Sequence, residues 1–126
     1  MTFFARYVAI TTGLIYMIAC ILQGEAGAMG EIGMIAVADT MLSRRECPEF
    51  PHDWDSILSA YNAYDPSPSQ EALAIAFRMI VSPWKPLGYV YVYSESDRRH
   101  MGWRRGEKIV EANGFRLNLS KSWPGD

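Results

Sequence analysis

The chain predicts an α+β domain, with helices first and a small antiparallel β-sheet toward the C-terminus. Three patterns carry that expectation. Leu14, Met17, Ile18, Ile21 and Leu22 recur at the spacing of one helical face. Past Pro86 the period drops to two, with Tyr89, Tyr91 and Tyr93 alternating with Val90 and Val92. Asn113-Gly114 then separates two short apolar-polar runs, and a two-residue turn of that composition is a strong hairpin signal. At 126 residues the chain is long enough to enclose one core, so residues 1–126 are read as a single domain.

The first helix is expected from about Leu14, with Thr11 or Thr12 as N-cap and an end near Ala26, where Gly24 and Gly27 favour fraying. A second should run from about Ile32 to Ser43. Its apolar residues Met34, Ile35, Val37, Ala38, Met41 and Leu42 wrap most of the circumference, as in a buried central helix. Arg44 and Arg45 close it favourably against the helix dipole. The proline-containing segment Cys47 to Asp53 reads as loop, and a short helix from Trp54 to Tyr64 follows with Asp53 as cap. Ser67-Pro68-Ser69-Gln70 has the pattern of a helix start, with Ser67 as N-cap, Pro68 in first position and Gln70 closing a capping box. That helix should bury Leu73, Phe77 and Ile80 and stop before Pro83. The hairpin pairs Lys108–Ala112 with Phe115–Leu119.

Composition excludes little by itself. Hydrophobic content is 49% and the net charge is −2, inside the ordinary globular range. Charge is uneven, however. Glu46 to Glu71 is acidic and free of Lys and Arg, whereas Arg98, Arg99, Arg104, Arg105, Lys108, Arg116 and Lys121 make the tail basic. Such a tail could meet nucleic acid or an anionic wall polymer, but Glu107 and Glu111 interrupt it and a solvated face is the plainer reading, so no nucleic-acid partner is expected. Cys20 and Cys47 are two cysteines without a CxxC and make no disulfide framework.

Glu25 is the residue that stands out. It lies four positions after Ile21 and seven after Ile18, so a carboxylate continues the apolar stripe of the first helix. Burial and the negative end of the helix dipole both disfavour its charged form. A carboxyl group kept protonated is what donation to a glycosidic leaving oxygen needs.

Gly24-Glu25-Ala26, Gly33-Met34-Ile35-Ala36-Val37-Ala38 and Met41-Leu42-Ser43-Arg44 together resemble the signature of the SleB-type cell wall hydrolases, the spore-cortex-lytic enzyme family. Looser similarity continues through Tyr61–Tyr64, Gly88–Ser94 and Ile109–Phe115. Met29 stands where the family often repeats Gly-Glu, Ser43 replaces its Asn and Ala63 its Gln. The resemblance implies a lysozyme-like fold of the goose-type and lytic transglycosylase kind. It also implies cleavage of peptidoglycan between N-acetylmuramic acid and N-acetylglucosamine, with Glu25 as catalytic acid. The expected partner is then the peptidoglycan glycan strand, met in the bacterial cell wall or periplasm. A phage-encoded endolysin, or an enzyme delivered by a virion or a secretion carrier, fits a short catalytic domain.

The same reading bears on the start of the chain. Tyr7 to Leu22 is mostly apolar, follows Arg6 and precedes the A-x-A pattern Ala26-Gly27-Ala28, which are features of a signal or anchor. Cleavage after Ala28 would remove Glu25 and half of the motif, so the run is expected to be the domain's first helix.

Tyr64, Tyr91 and Tyr93 are candidate sugar-binding residues, because an aromatic ring offers an apolar face and a hydroxyl. Asp39 and Glu31 are candidates for a second carboxyl group. Trp54, Trp84, Trp103 and Trp123 are expected to be packing anchors. His52 and His100 stand 48 positions apart with no companion ligand motif, so no metal or other cofactor is expected. Cys20 lies mid-helix and Cys47 precedes a proline, positions that do not activate a thiolate. With no persuasive second acid, the expected reaction is lytic transglycosylation on one Glu. The alternatives are a hydrolytic muramidase and a non-catalytic virion or wall-binding protein of the same fold.

Overall fold

A computed structural model describes residues 2–125. The chain is mixed α and β, as the change of period predicts. α1 (Phe3–Ala26) passes through a short 3-10 turn, Gly27–Met29, into α2 (Gly30–Glu46). α3 (Trp54–Ser59) and α4 (Gln70–Val81) follow, then β1 (Tyr91–Ser94), α5 (Glu95–Met101), β2 (Lys108–Ala112) and β3 (Phe115–Ser120).

α2 is the centre of the molecule. Met34, Val37, Ala38, Thr40 and Met41 are almost fully buried, since α1, α3, α4 and the sheet all pack on this one helix. The sheet is antiparallel in the order β1-β3-β2. Tyr91 pairs with Ser120 and Ser94 with Leu117 on one side of β3, and Lys108 pairs with Leu119 on the other. Asn113 and Gly114 both take positive φ, 53° and 81°, as the two-residue turn joining β2 to β3 requires.

Four local expectations need correction. α1 starts eleven residues earlier than expected, capped by Thr2, whose side chain accepts from the Ala5 N–H at 3.1 Å. α3 stops at Ser59 and does not reach Tyr64, because the next turn gives its backbone N–H groups to Glu25 instead of to a helix. α4 is capped by Ser69, not Ser67: the Ser69 hydroxyl accepts from Ala72 N at 3.1 Å while the Ser69 N–H donates to Gln23. Its buried face is then Ala72, Ile75, Ala76 and Met79, where two alanines let α4 approach α1 and α2 closely, and Phe77 points outward. A helix not expected from the sequence, α5, follows β1, with Ser94 as N-cap and Glu95 and Asp97 in its first turn.

Candidate active site

Glu25 lies in the last turn of α1, next to the buried Ala26. Its Oε1 accepts the backbone N–H groups of Asn62 (2.9 Å) and Ala63 (3.0 Å), contributed by the loop after α3. That loop reaches the helix only because residue 24 is glycine. A methyl group there would lie 2.5 Å from Tyr64 N and 2.7 Å from the Ala63 carbonyl carbon. Among the described residues no hydrogen bond reaches Oε2, so one carboxylate oxygen is anchored and the other is not. Glu25 is half-buried and borders a cleft of about 460 Å³.

The cleft collects side chains from distant parts of the chain. Tyr61, Asn62 and Ala63 form the rim beside Glu25, and Arg44 from the end of α2 forms part of the wall. Tyr91 and Tyr93 come from β1, Asp97 from α5, and Trp103 and Trp123 from the segments flanking the hairpin. The four rings pack edge to face in a continuous series: Tyr91–Trp123 at 5.5 Å, Trp123–Trp103 at 5.4 Å and Trp103–Tyr93 at 5.4 Å. Edge-to-face aromatic packing at these separations holds each ring firmly.

Arg104 fastens this wall from behind. Its carbonyl accepts the Tyr93 hydroxyl at 2.8 Å, and its guanidinium donates to the Trp123 carbonyl at 2.6 Å and the Ser122 carbonyl at 3.1 Å. Arg44 is held as well. Its Nε donates to the Val90 carbonyl at 2.7 Å, and its guanidinium lies 4.6 Å from the Phe50 ring centre and 5.5 Å from that of Tyr91. It therefore brings a fixed positive charge to the cleft, supported by cation–π contacts.

Tyr61 is set by the core. The Thr40 hydroxyl donates its proton to the Val37 carbonyl at 2.7 Å, so in the 2.8 Å contact between Thr40 and Tyr61 the phenol must be the donor. Burial pushes the Tyr61 hydroxyl up to about 12, against the opposing influence of Thr40 and Arg44. It is a fixed, uncharged neighbour of the acid.

Of the candidate site residues named from sequence, Glu25, Tyr91 and Tyr93 meet in this cleft and Tyr64, Asp39 and Glu31 do not, while Trp103 and Trp123, expected only as packing anchors, line it. Tyr64 lies outside it: the backbone crosses α1 at Gly24, and the ring stands half-exposed next to Cys20 and Tyr16. Asp39 is buried in α2, where its carboxylate accepts from Trp84 Nε1 at 3.1 Å and from Leu87 N at 3.1 Å. It braces the segment leading into β1. Glu31 is exposed in the first turn of α2 and does not line the cleft. Arg44, Asp97, Trp103 and Trp123 were not anticipated as site residues. Only Arg44 had a signal, as the last residue of the Met41–Arg44 motif.

A larger hollow of about 600 Å³ opens between α5 and the β2–β3 turn. Its charges satisfy one another. Glu95 binds Arg98 and, at 3.4 Å, Arg116, which also holds Glu111 at 2.6 Å. Cys20 and Cys47 are unpaired thiols. Among the described residues no three His, Cys, Asp or Glu side chains gather as a metal site.

No family model, curated protein or solved structure matches the chain.

Proposed function

We propose that this chain cleaves the glycan strand of peptidoglycan between N-acetylmuramic acid and N-acetylglucosamine, on a lysozyme-like fold, as a lytic transglycosylase with Glu25 as its single acid–base group. The observation that carries the reading is the placement of Glu25. One carboxylate oxygen is pinned by two backbone N–H groups, and the group opens on a cleft walled by Tyr91, Tyr93, Trp103 and Trp123. Flat aromatic faces stack on the apolar faces of sugar rings, and a carboxyl group beside them is placed to protonate a glycosidic oxygen.

In this reaction Glu25 gives its proton to the leaving oxygen as the glycosidic bond breaks. The carboxylate then takes the proton of the muramoyl 6-hydroxyl, whose oxygen closes on the anomeric carbon in place of water. Tyr61 stays neutral beside the acid throughout, and Arg44 supplies positive charge to the wall of the cleft. The work would be done in the bacterial cell wall or periplasm.

Hydrolysis is the second reading, and Asp97 favours it. A two-carboxylate glycosidase needs a second acid to act as nucleophile or to activate water. Asp97 borders the same cleft as Glu25, from the first turn of α5. Mass spectrometry of digested peptidoglycan separates the two. Transglycosylation leaves 1,6-anhydromuramoyl ends, lighter by one water, whereas hydrolysis leaves reducing muramic acid ends. Binding of glycan with neither product would identify a protein that holds the wall without cutting it.

A further inference from the structure

α1 lives in two environments. From Ile18 onward it is core, with Ile18, Ala19, Cys20 and Leu22 fully buried. Toward its start every residue from Thr2 to Ile10 is exposed, including Phe3 at 87% and Ile10 at 72%. Phe4, Tyr7, Val8, Tyr16 and Met17 are exposed too. Exposed apolar side chains packed this densely on one helix need an occupant.

We propose that the first half of α1 inserts into the hydrocarbon of a lipid bilayer and anchors the domain to a membrane. Three features of the helix choose lipid over a protein partner. The large apolar side chains are not confined to a stripe: Phe3, Tyr7 and Ile10 cover one flank, and Phe4 and Val8 the next. At about 100° per residue these positions sweep an arc of about 160°, wider than the roughly 100° stripe that packing on one face of a helix uses. A second copy or a protein groove would leave part of that arc in water, whereas lipid surrounds all of it. Charge gives the second feature. The inserting half carries one charged side chain, Arg6, and the 11 residues from Tyr7 to Met17 carry none. A helix lying flat on an anionic surface carries a cationic polar face, which this one lacks, so insertion does not depend on lipid charge. Thirdly, the helical stretch Phe3–Glu46, which α1 opens, is by length and composition apolar enough to cross a membrane. The continuously exposed part of α1, Phe3 to Ile10, spans about 12 Å, a depth that fits within one leaflet of the roughly 30 Å hydrocarbon core.

Flotation tests this with the full chain. Purified protein is mixed with vesicles of neutral phosphatidylcholine and centrifuged upward through a density gradient, at low and at high salt. The wild type should float at both. A Phe4→Asp, Ile10→Asp variant should remain at the bottom, with partitioning lowered at least about a hundredfold, because each acid is costly in hydrocarbon. Both positions are exposed, so the variant should melt at the wild-type temperature, which separates loss of anchoring from loss of fold. The proposal is overturned if the wild type stays at the bottom, as a monomer or as a soluble dimer that the variant dissolves. It is equally overturned if the variant floats as well as the wild type.

Discussion

Gly24 and Tyr64 touch through their backbones: a Cβ on Gly24 would sit 2.5 Å from the Tyr64 nitrogen. The contact brings the loop after α3 against the end of α1, and the loop in turn fixes Glu25. Gly24→Ala offers the helix about 1 kcal/mol in propensity. Against that stand overpacking against rigid backbone, about 1 to 3 kcal/mol, and two strained hydrogen bonds to Glu25. The net effect should be destabilising, seen as a lowered melting temperature. Activity should fall further than stability, since the carboxylate loses its anchor.

Glu25→Gln preserves shape and leaves an amide oxygen to accept from Asn62 and Ala63, so the fold should survive. In the proposed mechanism the proton donor is then gone. Clearing of a peptidoglycan suspension should slow at least about a hundredfold. A folded Glu25→Gln protein that lyses at the wild-type rate would remove Glu25 from the mechanism.

Asp39→Asn should behave in the opposite way. The buried carboxylate takes donors from Trp84 and Leu87, and an amide cannot accept through its nitrogen. A stability loss of about 1 to 3 kcal/mol in denaturant melts is expected. The specific activity of the folded fraction should stay unchanged, because Asp39 does not line the cleft.

Acid should weaken the sheet end of the molecule through Glu95. The hydrogen bond from Arg98, joined by Asn118 and the charges of Arg98 and Arg99, lowers its carboxyl from 4.5 to about 2. Because the folded value is the lower one, this stabilisation is complete above about pH 4.5 and disappears as pH falls toward 2. Melting temperature measured across that window should drop less steeply for Glu95→Gln than for the wild type. Parallel curves would show that Glu95 has no part in the acid sensitivity.

The parts legible in the sequence are those fixed by local chemistry. Asn113-Gly114 specifies its turn whatever surrounds it, and Asp53 caps α3 as its position suggests. Glu25 borders a cleft, a position consistent with a carboxylate that prolongs an apolar stripe. The rest of the cleft depends on long-range convergence. Arg44, Tyr91, Trp103 and Trp123 are far apart in the chain, and no periodicity links them. Tyr64 was misplaced for the same reason: whether it lines the cleft depends on where its backbone crosses α1. At α4, Ser67 and Ser69 offer competing caps, and the Gln23 side chain engages the second.

α1 is one uninterrupted helix, with exposed apolar side chains at one end and the Glu25 carboxylate at the other. Glu25 lies eight positions beyond Met17, about 12 Å along the axis. On a bilayer the helix would act as a ruler, holding the cleft at a set height above the lipid. For a chain that acts on wall polymer as proposed, reach would then be limited to the layer next to the membrane, and lengthening the rod by whole turns would raise that ceiling in steps of about 5.4 Å.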